Sequence, residues 1–357
     1  MTPPHLPGRL GNDELTLASD PRADPRMVAA MLPIGLADRT PPQPVTVDTP
    51  LESLHEFNTM AEMMFDTAFS SFSASLPPVE GVERSIEVIR GIDGNDITLY
   101  LHRPAGAHGP LPGLLHLHGG GMTILEASSA SYNRWRDHLA AQGLVVCGVE
   151  FRNASGKLGP YPYPAGLNDC TSALRWFGEQ RERLGVTGIV VSGESGGGNL
   201  TLATTLKAKR DGHLDLIAGV YAQCPYISNA YESPVPELTS LFENDGYFLS
   251  CEQMGVMAML YDPTRASATD PLAWPYHASV DDLAGLPPHV ISVNELDPLR
   301  DEGLAYYRKL AGAGVSAVSR TVNGTCHAGD CIFEAAMPDV FQATIRDIAG
   351  FAVSVTR

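Results

Sequence analysis

Two rhythms of apolar residues divide this chain. Up to about residue 80 the apolar positions follow helical spacing or none. Residues 1–50 are rich in Pro and Asp, and one short helix is predicted over Pro25 to Met31, where Asp24 can cap and Pro25 takes the first helical position. A longer amphipathic helix is predicted over Leu51 to Phe69, because Leu54, Phe57, Met60, Met64 and Phe65 return on one side. It is expected to pack on the body of the protein, with Met and Phe side chains able to line an acyl pocket. From Arg84 short β-rich runs take over. Ser85 to Gly91 and Ile97 to Arg103 flank the turn signal Asp93-Gly-Asn-Asp96, which predicts a hairpin. Strands follow at Leu114 to His118, Leu144 to Phe151, Gly188 to Ser192, Leu216 to Cys224, Pro288 to Asn294 and Ser316 to Asn323. Between them helices are predicted near Ser128 to Gln142, Ala165 to Leu184, Gly196 to Arg210, Asp301 to Ala313 and Pro338 to Phe351. Such alternation predicts a parallel sheet covered by helices on both faces. Pro225 to His277 interrupts it.

Composition narrows the function. A chain of 357 residues with 44% apolar content can bury one large core or two ordinary ones. The formal charge of -17, from 24 Lys and Arg against 41 acids, argues against nucleic acid as a partner and fits small neutral or positively charged substrates. No apolar run approaches the roughly 18 residues that span a bilayer, and Met1-Thr-Pro-Pro-His-Leu-Pro-Gly8 lacks a basic end followed by an apolar core. No membrane association and a cytoplasmic location are therefore expected. Cys147, Cys170, Cys224, Cys251, Cys326 and Cys331 show no Cys-x-x-Cys spacing and are expected to be buried free thiols. His116 and His118 would share one face of a strand, but no third ligand follows at a metal-site spacing, so neither metal nor cofactor is expected.

The chemistry gathers around Gly193-Glu-Ser195-Gly-Gly197, where a β-branched run passes into helix-forming sequence. A turn this tight pushes its central residue toward positive φ and leaves no room for a Cβ at Gly193 or Gly197. Ser195 would then stand at the carboxyl end of a strand, where doubly wound sheets place function. A serine hydroxyl is a poor nucleophile near neutral pH and needs a base, and the base needs an acid to hold its tautomer. With the chain order nucleophile, acid, base, only His327 of the 11 histidines follows the strand Pro288 to Asn294. The acid is expected at Asp297, directly after that strand and ahead of Pro298, whereas Asp301 and Glu302 fall where helix capping and the helix dipole explain them. Glu295 would point to the other side of the chain. His118-Gly119-Gly120-Gly121, after the strand from Leu114, can bring backbone N–H groups to a developing oxyanion together with Gly196.

These motifs, with Phe151-Arg-Asn153, Tyr163-Pro-Ala-Gly-Leu-Asn-Asp169-Cys and Asp297-Pro-Leu-Arg-Asp-Glu-Gly303, occur in one order, and together the chain resembles the hormone-sensitive-lipase-like (bacterial family IV) carboxylesterases of the α/β-hydrolase superfamily. The resemblance implies an α/β-hydrolase fold, a mostly parallel eight-stranded sheet with helices on both faces and a helical cap. It implies that residues 1–83 and 225–277 form the cap and that 84–224 and 278–357 form the core. It also implies that Gly120 and Gly121 donate to the oxyanion beside Gly196. The expected function is hydrolysis of a small, short-acyl ester by Ser195, Asp297 and His327. A lactone or amide hydrolase on the same triad is the alternative, and a non-catalytic receptor is disfavoured because the related receptors have lost the histidine that His327 retains. A homodimer is left open. In one departure, many members follow the histidine with Gly-Phe, where this chain has Ala328-Gly329. The cap residues offered for the pocket are Met60, Met63, Met64, Phe65, Phe242, Tyr247, Phe248, Met254 and Met257.

Overall fold

The structure is a computed structural model that describes residues 6–107 and 109–356. The first part of the N-terminal stretch read above, Met1 to His5, lies outside the described residues. Eight strands form one sheet: β1 (Val82–Arg90), β2 (Asp96–Pro104), β3 (Leu111–Leu117), β4 (Val145–Val149), β5 (Val186–Glu194), β6 (Ile217–Gln223), β7 (His289–Asn294) and β8 (Ala317–Val322). Their spatial order is β1-β2-β4-β3-β5-β6-β7-β8. The β1/β2 and β2/β4 pairs are antiparallel and all others parallel, so the hairpin forms one edge of a mostly parallel sheet.

The inner strands read as continuous apolar runs because both faces are covered, and every residue of β4 and β7 is buried. Leu115, Leu117 and Val191 point to one face, where they share a core with Leu174, Phe177, Leu200 and Leu310 from the helices Ala165–Glu179, Gly196–Asp211 and Arg300–Gly312. Leu114, Val146 and Val190 point to the other, against Leu139 and Ile345 from the helices Ala130–Ala141 and Pro338–Val355. The alternation of successive residues between faces is the pleat itself. Arg152, just past β4, grips Asp169 with Nε and Nη2 at 2.9 Å each, which pins the start of the helix Ala165–Glu179.

Above the carboxyl ends of the strands lie the helix Leu51–Ser73 and, within the irregular stretch after β6, the helix Cys251–Tyr261. They meet through Leu54, Val256 and Leu260. The longer helix forms as its periodicity predicts but turns a different face inward. Met60, Met63 and Met64 are exposed, at 59%, 63% and 72%, while Leu54, Asn58, Ala61 and Glu62 are buried. The cause is Glu62, whose carboxylate accepts from Leu125 N at 2.7 Å and Lys157 N at 2.9 Å and draws its own side of the helix down. Farther toward the N-terminus, Asp24 caps the helix Pro25–Met31 as expected, accepting from Arg26 N. Leu17, Met27 and Met31 from this segment pack with Cys326 and Phe333 behind the loop that follows β8.

Candidate active site

β5 ends at Glu194 and a helix starts at Gly196, leaving Ser195 alone at the apex with φ 57° and ψ -120°. A non-glycine residue in that conformation is strained by roughly 1–3 kcal/mol. The strain is imposed by close packing, since a Cβ on either Gly193 or Gly197 would collide with the carbonyl oxygen of Leu117, and on Gly197 would also come within 2.6 Å of His118 O. Ser195 N donates to Gln223 O at 2.9 Å, which ties the apex to the end of β6.

Beside the apex lies the glycine loop after β3. Gly120 and Gly121 have φ of 104° and 60°, and a Cβ on Gly196 would sit 2.6 Å from the backbone nitrogens of Gly121 and Met122. The start of the helix and the glycine loop are therefore in backbone contact. Among the described residues no backbone acceptor takes the N–H of Gly120, Gly121 or Gly196. Glu194, the unspecified residue of the Gly-x-Ser motif, holds this loop: its Oε1 accepts from Gly119 N at 2.7 Å and its Oε2 lies 3.1 Å from His116 Nε2. His118 lies just past β3, stacked on Phe151 at 4.1 Å, with Nδ1 donating to Gly119 O at 2.8 Å. Burial pushes the His118 imidazole down to about 3, so it is neutral and structural. His116 thus lies on β3 and His118 just beyond it, each with its own partner.

His327 follows β8, and its Nδ1 lies 2.8 Å from Asp297 Oδ2. The other oxygen of Asp297 accepts from Leu299 N at 2.9 Å, and both residues are buried. Asn294, the last residue of β7, organises the loop. Its Nδ2 donates to Thr325 Oγ1 at 2.7 Å and Asp330 Oδ1 at 2.9 Å, while its Oδ1 accepts from Ala328 N at 3.1 Å. Ala328 adopts φ 53°, the left-handed conformation that glycine would take without strain. Cys224 also approaches, its sulfur within 4.8 Å of the Asp297 and His327 ligand atoms, but burial pushes its thiol well up and keeps it protonated.

Asp301 and Glu302 do more than favour a helix N-terminus. Asp301 Oδ2 accepts from Ser240 N at 2.8 Å. Glu302, fully buried, accepts from Ile227 N at 2.6 Å, Tyr231 Oη at 2.9 Å and Ser228 Oγ, and burial pushes its carboxyl up to about 8. Arg300 bridges to Glu243, which also meets Arg22. These residues fasten the acid loop to the stretch after β6. Glu295 lies apart from the site, accepting from Gly324 N at 2.8 Å.

Ser195, His327 and Gly119 to Gly121 open together into a cavity of ≈ 110 Å³ whose far wall is Phe65, Phe69, Phe248, Met254 and Met257. Of the cap side chains expected there, Phe65, Phe248, Met254 and Met257 are present. Met60, Met63, Met64 and Phe242 face solvent, and Tyr247 is buried elsewhere with its hydroxyl 3.1 Å from Asp20 Oδ2. Glu194, Asn294 and Glu62 escaped the sequence reading, although an acid inside Gly-x-Ser-x-Gly and an Asn closing an apolar strand are polar residues at positions that burial makes costly.

By this fold and by a match of residues 114–329 to the model of that family, the chain belongs to the α/β-hydrolase fold family. Within it, the chain is 48% identical to brefeldin A esterase, a bacterial homologue of human hormone-sensitive lipase, with TM-score 0.96 over 99% of both chains. It is 38% identical to esterase Est22, with TM-score 0.84 over 95% of this chain and 99% of that one. It is 31% identical over 280 residues to carboxylesterase NlhH of Mycobacterium tuberculosis, covering 77% of this chain and 82% of that protein.

Proposed function

We propose that this protein is a serine carboxylesterase that hydrolyses small, short-acyl carboxylic esters through an acyl-enzyme. Ser195 Oγ attacks the ester carbonyl while His327 takes its proton, and Asp297 holds the imidazole in the tautomer with hydrogen on Nδ1. The carbonyl oxygen, now an alkoxide, accepts from the N–H groups of Gly120, Gly121 and Gly196. Collapse of the tetrahedral intermediate expels the alcohol, which receives the proton from His327. Water then attacks the acyl-serine by the same route and releases the acid and the free hydroxyl. The observation that carries this reading is the 2.8 Å His327–Asp297 contact, with His327 and Ser195 lining the same cavity. An apolar cavity of ≈ 110 Å³ supports small esters as substrates.

In this reading residues 1–83 and 225–277 are the cap and the remainder is the catalytic core. No described helix is long and apolar enough to cross a membrane, and six free cysteines, five of them buried, support a reducing, cytoplasmic setting. A homodimer is the assembly to look for by light scattering. Ser195→Ala is expected to lower the rate of p-nitrophenyl acetate hydrolysis by at least about 10⁴-fold. A variant within tenfold of the parent would contradict the assignment.

A further inference from the structure

The cap wall of the cavity is mostly apolar, with Gln253 and Ser73 as its polar residues, and Ser73 ends its helix while Gln253 stands among the apolar side chains. Gln253 lies in the helix Cys251–Tyr261 and is only 8% exposed. Its main-chain N–H donates to Ser250 Oγ at 3.2 Å, but among the described residues its carboxamide has no hydrogen-bond partner, and it lines the cavity with Phe65, Phe69, Phe248, Met254 and Met257. Neither carboxamide atom is fully occluded, so the amide is open to a group that enters the cavity, and an apolar group placed against it would leave it unpaired.

The helix also supplies a ruler. Met257 Sδ lies 2.7 Å from where a Cβ on Gly121 would sit, so this residue covers the glycine loop. Gln253 is four positions earlier, on the same face and ~6 Å farther along the axis. A carboxamide donates and accepts at once, and its apolar neighbours would leave an ion uncompensated.

Building on the esterase reading, we infer that Gln253 is a specificity-determining residue that selects esters carrying a second neutral oxygen, a ketone, hydroxyl or ester carbonyl, ~6 Å from the scissile carbonyl. An ester with a plain hydrocarbon chain of the same length leaves the amide unpaired and is turned over less efficiently.

Two matched pairs test this: p-nitrophenyl 5-oxohexanoate against p-nitrophenyl hexanoate, and 3-oxobutyl acetate against butyl acetate, which place the ketone four bonds from the scissile carbonyl carbon on the acyl and the alcohol side. The parent enzyme is expected to favour the oxo member of at least one pair by about 10-fold in kcat/KM. In Gln253→Met that ratio should fall to about one. Because the ratio is taken within one preparation, loss of folded enzyme cancels, and Gln253→Leu replaces the Met variant if that one does not fold. Equal rates within both pairs in the parent, or a preference unchanged in the variant, would overturn the inference. Hydrolysis of p-nitrophenyl acetate by the parent, whose acyl chain is too short to reach Gln253, separates the two failures: with it absent, the esterase reading itself fails.

Discussion

Ala328 and Ser195 both stand at positive φ, yet for different reasons. Ser195 has its φ of 57° in a turn whose flanking Gly193 and Gly197 are both pressed against the backbone at the end of β3, at Leu117 and His118. Ala328 is held at 53° by the bond from its N–H to Asn294, immediately after the histidine whose orientation matters most. A left-handed conformation costs a residue with a Cβ roughly 1–2 kcal/mol, and glycine recovers it while giving some back as freedom of the unfolded chain. Ala328→Gly is therefore expected to raise stability by up to ~1 kcal/mol and Ala328→Val to lower it by more than that. Melting temperatures in the order Gly, Ala, Val check this, and a Val variant as stable as the parent would contradict it. At this scale the sequence offers Ser195, Asp297 and His327 for the proposed triad because each sits just past a strand, where loop order leaves few candidates. Asn294 and Glu194 were not legible, because a polar residue closing an apolar run looks the same whether it binds a neighbour or meets water.

The alternating elements of the core were legible in kind and order, with ends displaced by a few residues, since a strand buried on both faces and a helix buried on one leave different periods. The helix Leu51–Ser73 shows the weakness of that signal. Its Met-rich stripe has the right spacing, but the buried face is chosen by two backbone N–H groups, those of Leu125 and Lys157, that both donate to Glu62. Removing that carboxylate by Glu62→Ala leaves both groups unpaired and is expected to cost ~2–4 kcal/mol. Leu125 directly follows the turn that Gly120 O closes by accepting from Ile124 N at 3.1 Å, so the glycine loop should loosen as well. Denaturant unfolding measures the first effect and kcat on a nitrophenyl ester the second. A variant with parental values for both would remove Glu62 as the link between cap and core. The stretch after β6 was illegible for a related reason: Arg300, Asp301 and Glu302 tie it down by side-chain bonds to Glu243, Ser240 and the Ile227–Tyr231 segment, which leave no period in the sequence.

For the whole molecule, these ties make stability depend on pH in a particular sense. Glu302 holds its proton up to about 8 in the folded protein against 4.5 for an ordinary glutamic acid. Below 4.5 both states are protonated, and between 4.5 and 8 only the folded state is, so this group's contribution falls as pH rises through that window and is flat above it. Glu302→Gln, neutral at every pH, is expected to flatten the decline in unfolding free energy between about pH 5 and 8. Parallel curves for variant and parent would show that Glu302 is not the group responsible. The sheet, the helices above it and the N-terminal segment converge on one serine. The most direct measurement is intact-mass and peptide analysis after treatment with an organophosphate ester. One adduct per chain, located on Ser195 and formed at the rate at which ester hydrolysis is lost, is the predicted result; inactivation without modification of Ser195, or full activity with Ser195 modified, would contradict it.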